Sequence, residues 1–523
     1  MLDMSDMTIS RRDILRSAAA MATITALGIK PHQVMAAEDG VLKVRMVADI
    51  QILDPGYMIG GDETTILYAC TPRLAVPVHD AAGAWAWAPS EYVEKVSQAD
   101  DTNILFVLKP GQMWSDNLGE LTAEDVKYSF ERMLKSDWSA RWPTLDRVDV
   151  KDKYSGVIVL KSPFVATWMM GIASESGSIL PKVAVEKLKD KKFTTQLPGQ
   201  LGPYTMVSWT PKQKVVLKAN SAWQGTKPAF AEVHIMDIED NKAAELAFEA
   251  HEVSVANIPT ETAARYKKAT PAQSKLIELP GPLYTWMGMN TQHEKLKDIR
   301  VRKAIQRAVD VDSVLKGAYS GIAPKAYGVI PIGFLGHRDS SKYSYNPDEA
   351  KDLLKQAGVS NLSLDIKVLT GQTEQVNAGQ IIQANLVDIG IDAKVTPVDS
   401  GPYWNLGLES KGDAWKKLEL WIMRYRTSAD PADAIQWFKK DQIGVWNWER
   451  WTDPEFETLW NSGLVERDTA KRAAGYVRMQ DIMEDTGAYA WLTFDPWFYV
   501  SSDAVKPAFD PGGEKRIDLF EKT

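Results

Sequence analysis

The chain has 523 residues, 45% hydrophobic and 25% charged, so it can bury a sizeable core; at about 150 residues per domain it should form three units. Its 61 Lys and Arg against 69 Asp and Glu give a formal charge of −8. That balance argues against a nucleic-acid backbone or an anionic membrane surface as the main partner, because both reward clustered positive charge. The single cysteine, Cys70, excludes an intrachain disulfide and any multi-cysteine zinc or iron–sulfur site. Tryptophan, at 19 copies, is the outlier. Such an excess marks either a large core or aromatic surfaces for a ligand.

Residues 1–37 read as an address. Ser10, Arg11, Arg12, Asp13, Ile14 and Leu15 precede a weakly apolar stretch from Ala18 to Ile29 and the small residues Ala36 and Ala37. This is the pattern of a twin-arginine export signal, against the alternative of an ordinary amphipathic helix with two arginines. The apolar run is shorter than the ~20 residues of a membrane span, and no cysteine sits at the cleavage point to carry a lipid. A soluble periplasmic protein is therefore expected.

From Val41 to Ala48 apolar and polar residues alternate, as in a strand, and Leu53-Asp54-Pro55-Gly56 is a turn. Thr122 and Asp125 form a capping box for a helix to Leu134 whose apolar face is Val126, Phe130 and Met133. A second helix starts with Asn346 as cap and Pro347 in the first turn, carries Ala350, Leu353, Leu354 and Ala357, and stops at Gly358. Leu362, Leu364, Ile366 and Val368 then repeat with period two. A helical stretch through Ile381, Ile382, Asn385, Leu386 and Ile389 follows, and Ile391, Ala393 and Val395 return to period two. Strand, helix, strand is the unit of a parallel sheet, so the class is α/β. No internal repeat or long linker interrupts the chain.

Several blocks, in order, carry a family resemblance. They are Leu53-Asp54-Pro55; Trp114-Ser115-Asp116 with Leu121 to Val126; and Leu201-Gly202-Pro203-Tyr204 with Trp209 and Val215-Val216-Leu217. Further on come Ile299 to Ala304, Tyr345 to Asp348, Ile389-Gly390-Ile391 and Ala429-Asp430-Pro431. In these the chain resembles the periplasmic solute-binding proteins of peptide- and nickel-type ABC importers, solute-binding protein family 5. The resemblance implies a two-lobed α/β fold with an additional small domain and a ligand cleft between the lobes. Lobe I would be discontinuous, over 38–55, 198–285 and 489–523; the accessory domain would fill 56–197, and lobe III 286–488. It also implies a monomeric receptor that closes on a small-molecule ligand and docks on permease subunits driven by cytoplasmic ATPases, with no cofactor, no metal and no nucleic acid.

Ligand contacts are expected between Tyr403 and Trp448, where aromatic residues interleave with arginines. Trp421, Met423 and Tyr425 alternate with Ile422 and Arg424, so a strand there would present two faces, one of them turned out of the core. A Trp-rich core is the competing reading for half of these residues. By resemblance the cavity is assigned to Trp404, Trp421, Arg424 and Thr427; Tyr403, Arg426, Asp430 and Trp142 complete the candidate set. Peptide-binding members commonly carry an aspartate four residues before the proline of the Asp430-Pro431 turn, pairing with the ligand's α-ammonium. Here that position is Thr427. A desolvated ammonium without a charged partner costs on the order of 3–5 kcal/mol. An oligosaccharide, an opine-like conjugate or a modified peptide is therefore favoured over a dipeptide or oligopeptide with a free N-terminus, although Asp430 could still serve as a cation partner. Catalysis finds no support: the elbow, zinc-helix and phosphate-loop motifs are missing and the six histidines are dispersed. A twin-arginine-exported enzyme is the rival from another class.

Overall fold

The computed structural model describes residues 40–58, 61–79, 85–427 and 430–523; the expected export signal lies outside these residues. Among them, three sheets of four or more strands organise the chain.

The first is a seven-stranded mixed sheet in the order Ser274–Leu279, Trp497–Ser502, Val255–Ile258, Val41–Met46, Glu232–Asp237, Lys214–Ala219, Tyr204–Thr210. Its central strand, Val41–Met46, runs parallel to both neighbours. Leu42, Val44 and Met46 are buried in the core, whereas Val47, counted into the strand from its alternation, is beyond it and exposed. Arg45 is buried as well. Its guanidinium donates to the carbonyls of Ile238, Asn257 and Glu239 at 2.8, 2.6 and 3.1 Å, which satisfies a charge that burial alone would exclude.

A four-stranded antiparallel sheet, Val93–Gln98, Asn103–Leu108, Ser155–Leu160 and Leu145–Val150, forms the accessory unit with the helix Ala123–Met133. That helix begins as its sequence requires. The Asp125 carboxylate accepts from the Thr122 backbone N–H at 2.9 Å, and Val126, Phe130 and Met133 are buried.

The third sheet has five strands in the order Asp392–Val398, Ser363–Leu369, Leu420–Arg426, Leu283–Met289, Tyr489–Thr493. Ser363–Leu369 and Asp392–Val398 are parallel and joined by the helix Thr373–Asp388, the expected unit. Leu283–Met289 runs antiparallel to both of its neighbours, so the sheet is mixed. Tyr489–Thr493, allotted to lobe I by sequence, pairs here instead. Both faces of this sheet are covered. Leu420 and Ile422 join the aliphatic core under the helices, while Trp421 and Met423 join an aromatic core on the other side. Neither face of Leu420–Arg426 therefore looks into a cleft at these positions.

Glu449 is fully buried in that aromatic core and accepts from the Trp286 indole N–H at 2.8 Å. Burial pushes its carboxyl up to about 8. The folded chain thus holds a proton that the unfolded chain, with an ordinary carboxyl near ~4.3, releases. This contribution to stability is fully present below the unfolded value and is lost as pH rises through about 8. Denaturant titrations of the wild type should show stability falling between pH 5 and 8.5, and Glu449→Gln should flatten that slope.

Two adjacent segments, residues 280–282 and 494–496, join the seven-stranded and five-stranded sheets. They touch closely: the Asp495 backbone N–H donates to Leu283 O at 3.2 Å, and a Cβ on Gly281 would stand 1.8 Å from Asp495 O. Only glycine fits there.

Candidate functional site

A cavity of about 380 Å³ lies where the three units meet. One wall comes from Met58 and the helix Gly61–Cys70, through Gly61, Thr64 and Tyr68, together with Pro77 and Trp85. The accessory unit adds Trp138, Arg141, Met169, Met170 and the segment Ala173 to Glu175. The five-stranded side supplies Pro282, Arg426, Thr427, Asp433, Gln436 and Trp437, and the C-terminal segment supplies Asp510, Gly512 and Glu514. Apolar and aromatic walls with a few convergent charges are the composition of a small-molecule pocket, and this volume is at the lower end of the usual ~300–1,000 Å³.

The charges are organised in pairs. Arg141 donates to Glu175 at 2.5 Å while its guanidinium lies over the Trp138 ring, 4.2 Å from the centroid. Burial raises the Glu175 carboxyl, but Arg141 outweighs it and the net shift is downward. Across the cavity Arg426 donates to Glu514 at 2.6 Å, joining the end of Leu420–Arg426 to the C-terminal segment. Roughly half of the Arg426 side chain (48%) stays accessible although the residue is deep in the molecule; that surface faces the cavity. Asp510 is 92% buried, and burial, reinforced by the neighbouring Glu514 charge, pushes its carboxyl up to about 7.

The walls also touch around the rim. Trp85 packs on Phe334 with ring centroids 4.7 Å apart and its backbone N–H donates to Gly333 O at 3.0 Å. Val165 N–H donates to Leu464 O at 2.9 Å, and Arg467 pairs with Asp101 at 2.7 Å. The cavity is thus enclosed by contacts between chain segments far apart in sequence.

Of the eight residues singled out in the sequence, Arg426 and Thr427 stand in the wall. The other six are placed elsewhere. Trp421 and Tyr403 are core residues, 0% and 1% exposed, and the Tyr403 hydroxyl donates to Ile422 O. Trp404 is half-buried against Tyr403 and Trp446. Trp142 is buried behind the wall, packed on Phe130, with its indole N–H on Ser176 Oγ at 3.1 Å. Arg424 points to the inter-sheet junction, donating to Asp495 at 3.2 Å and to Gln372 at 2.7 Å. Asp430 is buried and grips Arg472 through two hydrogen bonds of 2.8 and 3.0 Å. For Trp421 and Arg424 the reason is that a sheet packed on both faces leaves only the strand end, at Arg426, free to reach the cavity.

Asp433 bears on the departure at Thr427. Its Oδ2 lies 3.5 Å from Thr427 Oγ1 and its Oδ1 accepts from the Gln436 amide, so the wall has a carboxylate beside position 427 even though the sequence position itself lacks one. Arg141, Glu175, Asp510 and Glu514 were not legible as site residues. The one available signal was the turn Asp510-Pro511-Gly512-Gly513-Glu514, which brackets its glycines with acids. Among the described residues no group of three or more His, Cys, Asp or Glu could hold a metal ion. None of their helices is long and apolar enough to cross a membrane.

A family model described as bacterial extracellular solute-binding proteins, family 5, middle, matches residues 81–443. The chain is 26% identical over 463 residues to a probable D,D-dipeptide-binding periplasmic protein of Escherichia coli (strain K12), covering 86% of this chain and 88% of that one. Its fold is similar to the structure of HbpA2 from Haemophilus parasuis, with a TM-score of 0.81, 21% identity, and coverage of 92% of this chain and 100% of that one. It is also similar to the periplasmic binding protein DppA from Helicobacter pylori in complex with the peptide STSA, with a TM-score of 0.73, 22% identity, and coverage of 92% and 98%. The architecture is therefore the two-lobed α/β fold of periplasmic binding proteins.

Proposed function

Because the chain belongs to the bacterial extracellular solute-binding proteins of family 5, we propose that it captures a short peptide or peptide-like zwitterion between its lobes and delivers it to an ABC permease. The single observation that carries this reading is the enclosed cavity lined by both signs of charge. Arg141 and Arg426 suit a carboxylate, through forked hydrogen bonds, and Asp433 suits an α-ammonium. The argument from Thr427 against a free N-terminus loses its force once Asp433 is counted. The relatives named for dipeptide or peptide binding support the same class. The oligosaccharide and the opine-like conjugate that the sequence favoured draw no support from these relatives.

Closure is the proposed mechanism. The lobes are taken to divide at 280–282 and 494–496, with Gly281 and the Arg424–Asp495 pair at the hinge. Ligand touches both lobes only when they meet, so it stabilises the closed arrangement over the open one. Reversing a 99:1 preference for the open form requires about 5.5 kcal/mol of differential affinity. Buried charged hydrogen bonds and aromatic contacts are of the size to provide it. In this reading residues 1–37 direct twin-arginine export to the periplasm, and the receptor works as a monomer with a permease and its cytoplasmic ATPases.

The test is calorimetry and small-angle scattering on the purified mature protein with L- and D-alanyl-alanine, a tripeptide, cellobiose and octopine. A dipeptide or the tripeptide should bind and reduce the radius of gyration. Binding of the sugar or the opine, with none of the peptides bound, would overturn the peptide reading.

A further inference from the structure

The polar groups on the accessory side of the cavity are largely in use within the protein. The Trp138 indole N–H donates to Met58 O at 2.9 Å, and the Ser174 hydroxyl turns back onto Met170 O and Gly171 O, 2.8 and 3.0 Å away. Arg141 is paired with Glu175. Beside that ion pair, what this side presents to the cavity is carbon and sulfur, from Met58, Trp138, Met169, Met170 and Ala173. The backbone that sets the two adjacent methionines there is unusual. Thr167–Ile172 is a π-helical turn, every residue of it buried, and its wider ladder shows in the Ala173 N–H reaching Trp168 O at 2.8 Å. Such turns are rare and gather at functional sites. The Trp142 ring backs the turn, 3.2 Å from where a Cβ on Gly171 would stand.

A peptide's own polar groups need partners once water is shut out. Those partners stand elsewhere in the cavity, in Arg426, Thr427, Asp433 and Gln436 on the five-stranded side. Against the methionine side a ligand gains by burying apolar surface, and a polar group placed there gives up its hydrogen bonds to water without replacement. Resting on the peptide reading above, we infer that the π-helical turn and Met58 form the seat of an apolar side chain of the ligand, selecting it by polarity and not by shape. Methionine suits this role. Unbranched, with three rotatable bonds, it refits around aliphatic and aromatic groups alike, and its sulfur makes favourable contacts with rings. Met58, Met169 and Met170 are only 4%, 8% and 6% exposed, so the seat is shielded from water.

The experiment compares alanyl-leucine with alanyl-asparagine, whose side chains are close in size and shape, and the reversed pair leucyl-alanine and asparaginyl-alanine, by calorimetry on the wild type and on Met169→Gln. In at least one order the leucine peptide should bind the wild type at least about tenfold more tightly than the asparagine peptide. In that order, methionine or phenylalanine in place of leucine should change affinity by less than about fivefold. Met169→Gln, polar at the same length, should bring the leucine and asparagine peptides closer together in affinity. A second readout keeps the wild-type seat: with the methionine ε-methyl groups labelled for magnetic resonance, the phenylalanine peptide at saturation should shift those of Met58, Met169 and Met170 through the field of its ring, well beyond the shifts that alanyl-alanine causes. Equal binding of the leucine and asparagine peptides, a preference unchanged in Met169→Gln, a wider spread among leucine, methionine and phenylalanine, or methyl groups that do not sense the ring would each overturn the inference and leave the peptide reading standing. No dipeptide bound in either order would overturn the peptide reading and the seat with it.

Discussion

Arg426→Ala should weaken dipeptide binding by at least about 30-fold while leaving the unfolding of the ligand-free protein nearly unchanged. On the proposed reading Arg426 has two roles when the lobes meet. One arm of its fork reaches Glu514, 2.6 Å away on the opposite side of the cavity, and its remaining donors have no protein partner among the described residues and face the space a ligand would fill. Truncation therefore removes a link across the closed cleft, leaves Glu514 without its cation, and deletes a donor for the ligand's carboxylate. Losing one half of a buried hydrogen-bonded charge pair costs about 2–5 kcal/mol, which at ~1.4 kcal/mol per tenfold is a loss from about 30-fold to several thousandfold. In an open form the same side chain sits in water, where such pairs contribute ~1 kcal/mol or less, so thermal unfolding without ligand should hardly move. Arg426→Lys separates charge from geometry: an ammonium keeps the Coulomb attraction but not the fork, so binding should be intermediate. Calorimetry and scattering on the three proteins decide the matter. Unchanged affinity in Arg426→Ala would remove this residue from the site.

What the sequence disclosed, and what it withheld, follows from how far each signal reaches. The Thr122 and Asn346 caps, the stop at Gly358 and the period-two runs flanking Thr373–Asp388 are local, and each is realised where it was read. The cavity is not local. Arg141, Arg426 and Asp510 are brought to one place by three sheets and two crossovers, and no spacing along the chain encodes that meeting. The strand Leu420–Arg426 shows where the reading failed. Its alternation was sound, but one face was expected to look out of the core, whereas a second core lies there, in which Trp421 packs against Trp448. Tryptophan abundance pointed to aromatic surfaces in general and could not say which were packed against protein. At the cavity the tryptophans are Trp85, Trp138 and Trp437. Only the last falls in the window where ligand contacts were sought.

Asp430→Ala offers the sharpest separation between the sequence reading and the structure, because the two assign it opposite consequences. If Asp430 were a ligand contact, its loss would lower affinity in a stable protein. In the structure it caps the helix Pro431–Ile435, accepting from Ala432 N–H at 2.9 Å, and holds Arg472 bidentately with both side chains almost wholly buried. Arg472 also donates to Gly463 O at 2.7 Å and to the Tyr476 hydroxyl at 3.2 Å. Burial pulls the guanidinium down, but Asp430 outweighs it and the group is held above its ordinary value, so the cation stays charged inside the protein. Removing the carboxylate strands that cation, at a cost of about 3–5 kcal/mol, and the lost cap adds about 1 kcal/mol. Chemical denaturation of Asp430→Ala should show a loss of this size, with the surviving folded fraction binding dipeptide as the wild type does. Pairing the change with Arg472→Met should restore part of the stability, since the stranded charge is then gone and an apolar side chain fills the space. A variant as stable as the wild type yet unable to bind peptide would return Asp430 to the site and show that the cavity wall extends beyond Asp433 into the turn itself.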